Sequence, residues 1–129
     1  MTVWTSEELK KIGTAEELEI AAFRQDGTLR KPVTIWVVRL DDDLYVRSYK
    51  GRTSAWFRSV QVRLEGHIRA GGVDKDVTFV EETGLEINQQ IDVAYRTKYR
   101  RYATSIVETI VTPDARSATI KLLPRSTTP

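Results

Sequence analysis

A chain of 129 residues with 40% hydrophobic and 29% charged residues is long enough for one self-sufficient core and too short for two full-sized domains, and its composition excludes fibrous and disordered classes. A net charge of +2, no cysteine and one histidine, His67, argue against a dedicated nucleic-acid binder and exclude disulfides, thiolate chemistry and a multi-histidine metal site. There is no signal-like leader and no apolar run near the roughly 20 residues that span a bilayer, so a cytoplasmic protein without a membrane partner is expected.

In chain order, Thr5 or Ser6 caps a first helix whose apolar edge is Leu9 and Ile12 and whose end is Gly13. Thr14 to Glu17 has the spacing of a capping box and predicts a second turn or short helix. Leu18, Ile20 and Ala22 alternate with their neighbours, predicting a strand to about Gln25, and Asp26-Gly27 turns the chain. Arg30 and Lys31 precede Pro32 at the mouth of the next strand. Val33 to Leu40 is almost continuously apolar and β-branched, the pattern of a strand covered on both faces, which places it centrally in a sheet or barrel. Asp41 to Asp43 form a turn. From Leu44 to Tyr49 the residues alternate: Leu44, Val46 and Ser48 share one face, and Tyr45, Arg47 and Tyr49 the other.

The loop Lys50-Gly51-Arg52-Thr53-Ser54 combines cations, hydroxyls and a glycine that lets backbone N–H groups approach an anion. It runs into a short helix with Trp56, Phe57, Val60 and Val62, whose first N–H groups add to an anion site. Gly66 to Ala70, the turn Gly71-Gly72, and Val73 to Val80 read as a hairpin. His67, on that short strand, reads as structural. Thr83 to Glu86 reads as a capping box, with Asn88 as a later alternative cap, opening a helix to Tyr102 that bears a stripe of tyrosines, with Arg96, Lys98, Arg100 and Arg101 on its solvated face. Ser105 with Glu108 caps another short helix, Pro113-Asp114 turns the chain, Ala118 to Leu123 forms the last strand, and residues 124–129 are a loose tail. The sum is one domain of the α+β class, mainly β, with about six strands in hairpins that stack or close into a barrel.

Several separated strings resemble one family: Thr34 to Tyr45, Lys50-Gly51-Arg52 leading to Trp56, Ile68 to Val73, Asp76-Val77-Thr78-Phe79, and Ile91-Asp92 with Tyr95 to Tyr99. Over essentially the whole chain they look like the bacterial family labelled domain of unknown function 2255. More remotely, the order of cations before a proline, apolar strand, acidic turn, Lys-Gly loop, Ala-Trp-Phe-Arg and tyrosine-studded helix is similar to the deazaflavin-dependent nitroreductases of the flavin-binding split-barrel superfamily, which includes the pyridoxamine-phosphate oxidases. That resemblance implies a six-stranded antiparallel split β-barrel with flanking helices. It further implies FMN or deazaflavin as cofactor, its phosphate meeting Arg30, Lys31, Arg47, Ser48, Lys50 and Arg52, with Trp56 beside the ring or capping the pocket. Tyr95, Tyr99 and Tyr102 are the implied candidates to face substrate or isoalloxazine, and a homodimer sharing the cofactor is part of the same implication. The turn Gly27 to Lys31 is shorter in glycine and cations than the nitroreductase pattern, which favours FMN over deazaflavin.

Two readings of function stay open. One is a flavin- or deazaflavin-dependent reductase of small organic substrates, in which the cofactor does the chemistry and no acid–base pair or nucleophile is needed. The other is a non-enzymatic domain that binds a small anionic ligand, or is purely structural, with no cofactor at all.

Overall fold

The computed structural model describes residues 3–125. Helix α1, Ser6–Gly13, opens on a reciprocal box in which Glu8 N donates to Thr5 Oγ1 at 3.1 Å and Thr5 N to Glu8 Oε1 at 2.9 Å. Of the turn or short helix expected from Thr14, the structure has a turn: Thr14 closes α1, its hydroxyl donating to the Lys10 carbonyl at 2.8 Å, and no second helix follows before β1.

Seven strands follow among the described residues: β1 Leu18–Ala22, β2 Val33–Ile35, β3 Val37–Leu40, β4 Asp43–Arg47, β5 Glu65–Ala70, β6 Val73–Glu81 and β7 Thr119–Pro124. All pairings are antiparallel, in the order β2-β1-β5-β6-β7-β4-β3. The two ends of the sheet, β2 and β3, are therefore neighbours in sequence, separated by Trp36 alone. A sheet whose first and last strands are one interrupted segment must curl until its edges meet, and the result is a near-closed barrel. The run from Val33 to Leu40 is thus the seam of the barrel rather than its centre, and its interruption makes seven strands where six were expected. At the break the Val37 N–H donates to the Tyr99 hydroxyl at 3.1 Å.

The barrel interior is filled from alternating positions, among them Leu18, Ile20, Val37, Leu44, Val46, Ile68, Val77, Phe79, Ile120 and Leu122, together with Leu9 and Ile12 of α1. Helix α2, Ala55–Arg63, adds Phe57 and Val60 to the same core. A second cluster lies outside the wall, where α3, Leu85–Lys98, sets Ile91 and Tyr95 against Val38 and Tyr45 of β3 and β4. The alternation expected in β4 is present, but its aromatic face is covered by α3 rather than open. The box expected at Thr83 to Glu86 does not form. Gly84 is the cap, and the Asn88 amide donates back to the carbonyls of Gly84 and Glu82 at 2.9 and 3.2 Å.

Helix α4, Thr104–Val107, starts without a side-chain cap, because its N-cap is Ala103 and the expected cap, Ser105, lies inside the helix; Glu108 pairs with Arg96 at 3.1 Å. Pro113 opens α5, Pro113–Arg116, capped by Thr112. Of the expected loose tail, Pro124 ends β7, Arg125 N donates to the Asp76 carbonyl at 3.0 Å, and the remainder lies outside the described residues.

Candidate functional site

Among the described residues strand β2 pairs on one side only, with β1. Beside its other side the barrel wall opens into a cavity of about 730 Å³, within the size range of cofactor pockets. Four segments bound it: Val33 to Trp36 at the seam, Arg47 to Lys50 at the end of β4, Thr53 to Trp56 at the start of α2, and Ile106, Thr109 and Ile110. The loop turns on the Gly51 N–H, which donates to the Ser48 carbonyl at 2.9 Å, and Gly51 then takes a φ of +75°, open to glycine, that directs the chain on toward α2. Ser54 then caps α2, its Oγ accepting from Phe57 N at 3.3 Å and lying 2.8 Å from Ser48 Oγ. Hydroxyls, the first turn of a helix and one ammonium, Lys50, thus share a cavity whose other walls are the indoles of Trp36 and Trp56.

A second recess of about 270 Å³ lies on the far side of the same wall, since Val33, Ala55 and Trp56 border both. It is lined by Arg24, Arg30, Lys31 and Ser59 over Ile20, Ala22 and Val60. Among the described residues no carboxylate lines either space.

The cations expected at one phosphate are distributed over four places. Lys50 and Ser48 line the larger cavity, and Arg30 and Lys31 the smaller one. Arg52 is turned the other way, to Glu81 at 2.6 Å and the Ser117 carbonyl at 2.8 Å, and the Glu81 carboxyl is held below its ordinary range by that bond. Arg47 borders the cavity with its guanidinium sunk in the protein: all five of its N–H groups have partners within the fold, Thr119, Asp92, the Ile110 carbonyl and, twice, Asn88. A guanidinium so engaged has no donor left for a phosphate. Sequence reasoning placed Thr53 in the anion loop, and it lines the cavity, but it missed Trp36 and Thr109 as wall residues. An indole interrupting a β-branched run was the one local signal for Trp36.

Tyr95 and Tyr99 do not face the cavity either. Both are buried in the cluster behind β3 and β4, and burial raises both hydroxyl pKa values well above the ordinary tyrosine value. Tyr99 stacks on Trp36 with ring centroids 3.9 Å apart and 5° between planes, so it supports a cavity wall from behind. Tyr102 hydrogen-bonds Glu16 at 2.8 Å. His67 lies outside both spaces, between Asp74 and Asp76 on the β5–β6 surface.

Beside Tyr99, the Lys98 ammonium donates to the Val37 carbonyl at 2.6 Å, and burial lowers its pKa from 10.5 to about 8. Between those two values the unfolded chain holds the proton more tightly, so stability should rise as pH increases from about 8 to about 10. Tyr45, pushed up to about 12 by burial and then by Asp43, Glu82 and Asp41, opposes this only above about pH 10, where the folded state keeps a proton that the unfolded chain loses. Urea midpoints across this range should climb in the wild type and climb less in Lys98→Met; parallel profiles would show that Lys98 is not the group responsible.

No helix among the described residues is long and apolar enough to cross a membrane, and none of their His, Asp and Glu side chains group as a metal site. Comparison with known proteins places this geometry. The profile of a family described as uncharacterized protein conserved in bacteria, DUF2255, matches residues 8–122. No curated protein matches the chain. Three solved structures are similar in fold. A Listeria innocua protein provisionally assigned as a pyridoxamine 5'-phosphate oxidase is 12% identical, with a TM-score of 0.65 over 93% of this chain and 92% of that one. A structure named F420 reductase is 11% identical, with a TM-score of 0.59 over 92% and 93%. A FAD-binding protein of Mesorhizobium loti is 18% identical, with a TM-score of 0.54 over 96% and 92%.

Proposed function

We propose that this chain, which belongs to the bacterial DUF2255 family, binds a planar, phosphate-bearing cofactor of the flavin type in its larger cavity and acts, when loaded, as a reductase of small organic substrates. One observation carries the reading: a cavity of flavin-compatible size with two indole walls, three hydroxyl-bearing residues beside a helix start, and an ammonium with no carboxylate partner among the described residues. Indoles suit a flat aromatic ring, and the Lys50, Ser48 and Thr53 corner suits a phosphate. The names of the fold neighbours, an F420 reductase and a FAD-binding protein, support the same ligand class.

A bound isoalloxazine or deazaflavin would supply the hydride transfer. The protein's share is to anchor the phosphate at Lys50, to hold the ring against Trp36 and Trp56, and to keep water from one ring face. Trp36 is stiffened for that task by its stack on Tyr99. A carrier or sensor of an anionic ligand is the second reading, because the same cationic, indole-walled cavity would hold such a ligand without any reaction.

Fluorescence titration of the protein with FMN and with a deazaflavin tests the binding. Lys50→Ala should weaken it about tenfold, the loss of one charge-assisted contact of about 1.5 kcal/mol, whereas Arg52→Ala should change it little because Arg52 is engaged by Glu81. Failure of both compounds to bind at micromolar concentration would end the flavin reading. Binding without turnover of any electron acceptor would favour the carrier.

A further inference from the structure

We propose that the smaller recess is a second anion subsite, which recognises a further anionic group on a ligand whose ring and first phosphate occupy the larger cavity. The ligand class is then a flavin-type molecule extended beyond its first phosphate by a second negative group, either a diphosphate or a carboxylate-bearing tail. The inference rests on the flavin reading for the ring, but the recess itself is defined by its own residues.

Three guanidinium or ammonium side chains, Arg24, Arg30 and Lys31, line a space of about 270 Å³. That is below the usual size of a pocket for a ring system and ample for a compact anion. Twelve of the 20 lysines and arginines make ion pairs among the described residues, and none of these three is among the twelve. The Nε of Arg30 is buried and has no hydrogen-bond partner among the described residues. A buried donor on a charged group is costly to leave unpaired, and structures retain such donors where a ligand completes them. Arg24 is held in place by its own loop, donating to the Leu29 carbonyl at 3.0 Å and to Thr28 Oγ1 at 3.2 Å. Ser59, one turn along α2, adds a hydroxyl to the lining.

Position supplies the second half of the argument. Val33, Ala55 and Trp56 border both spaces, so a ligand leaving the larger cavity over this ridge enters the recess directly. Lys50 on one side and Arg30 with Lys31 on the other therefore read as two separate anchors. A ligand with a single phosphate satisfies one of them, and a ligand with a second anion satisfies both.

The test measures the affinity of the full-length protein for FMN, for FAD, and for a deazaflavin with and without a carboxylate tail, in the wild type, Arg30→Gln/Lys31→Gln and Lys31→Glu. Inorganic pyrophosphate, titrated alone against the same proteins, probes the recess without any ring. The extended ligands should bind the wild type more tightly than their short counterparts. Both variants should lower that preference about tenfold, as expected for a charge-assisted contact, and leave the short ligands within about twofold. The exposed Lys31→Glu serves if the double variant unfolds. Preference for FAD alone would name the diphosphate as the group recognised, and preference for the tailed deazaflavin alone would name the carboxylates.

Pyrophosphate binding that depends on Arg30 and Lys31 without any flavin binding would uphold the recess and remove the flavin reading. Flavin binding with equal preference in wild type and variants, and pyrophosphate binding indifferent to them, would overturn the subsite and leave the flavin reading standing.

Discussion

Asp92→Ala is expected to lower the stability of the fold by about 3–5 kcal/mol, the effect of stripping one partner from a buried ion pair. Asp92 Oδ1 lies 2.5 Å from Arg47 Nη1, with the arginine side chain fully buried and the aspartate 5% exposed. The second oxygen takes Arg116 at 2.8 Å. Without the carboxylate the Arg47 charge keeps only neutral acceptors, Thr119, Asn88 and the Ile110 carbonyl, in a place water does not reach. A loss of that size is a large part of the roughly 5–15 kcal/mol that holds a domain folded. The double variant Arg47→Met/Asp92→Leu should recover much of it, because an apolar pair of similar volume carries no charge to desolvate. Urea unfolding of both proteins decides the matter. An Asp92→Ala protein within about 1 kcal/mol of wild type would mean that water or a rearranged side chain neutralises Arg47.

That ion pair also explains why a cation next to an anion site need not serve it. Arg47 ties β4 to α3 and, through Asp92 and Arg116, to α5. It fixes the strand end from which Ser48 and Lys50 depart, and the larger cavity is built on that departure. Its contribution to the site is the position of the loop, whereas Lys50 contributes charge.

What was legible in the sequence was local. The cap of α1 at Thr5 or Ser6, the turn at Gly71-Gly72, the alternation of β4 and the start of α2 all rest on residues within a few positions of one another, and the structure shows each of them, the cap at Thr5. The resemblance added closure into a barrel, which no local pattern carries. What escaped was decided between distant residues. Val33 to Leu40 reads as one strand because every residue in it suits a strand; only pairing with β1 at one end and β4 at the other splits it at Trp36. Thr14 and Ser105 have good capping partners in sequence, but Thr14 closes α1 on the Lys10 carbonyl and α4 starts one residue before Ser105. Arg47 and Asp92 are 45 positions apart, so an arginine on a polar strand face gives no hint of being neutralised inside. Tyr95 and Tyr99 form a helical stripe either way; that the stripe faces β3 and β4 is a fact of packing.

Gly66→Ala is the second large effect expected, about 3 kcal/mol or more, at the upper end of what an overpacked interior site costs. Gly66 pairs with Ala22 across β1 and with Val77 across β6. A Cβ there would lie 2.2 Å from the Ala21 carbonyl oxygen and 2.7 Å from Phe79 Cζ. The ring can move, but the carbonyl belongs to the backbone of the paired strand, so β1 itself must shift away from β5. Pairing Gly66→Ala with Phe79→Leu should therefore restore little, since it relieves the ring and leaves the oxygen. The damage should also reach the site, because Ile20 and Ala22 of β1 form the floor beneath Arg30 and Lys31. Hydrogen exchange should show faster opening at the amides that join β1 to β5 and little change at those joining β4 to β7. Full rescue by Phe79→Leu would put the clash in the ring alone, and equal loosening of both pairs would mean that the barrel yields as one unit rather than at this seam.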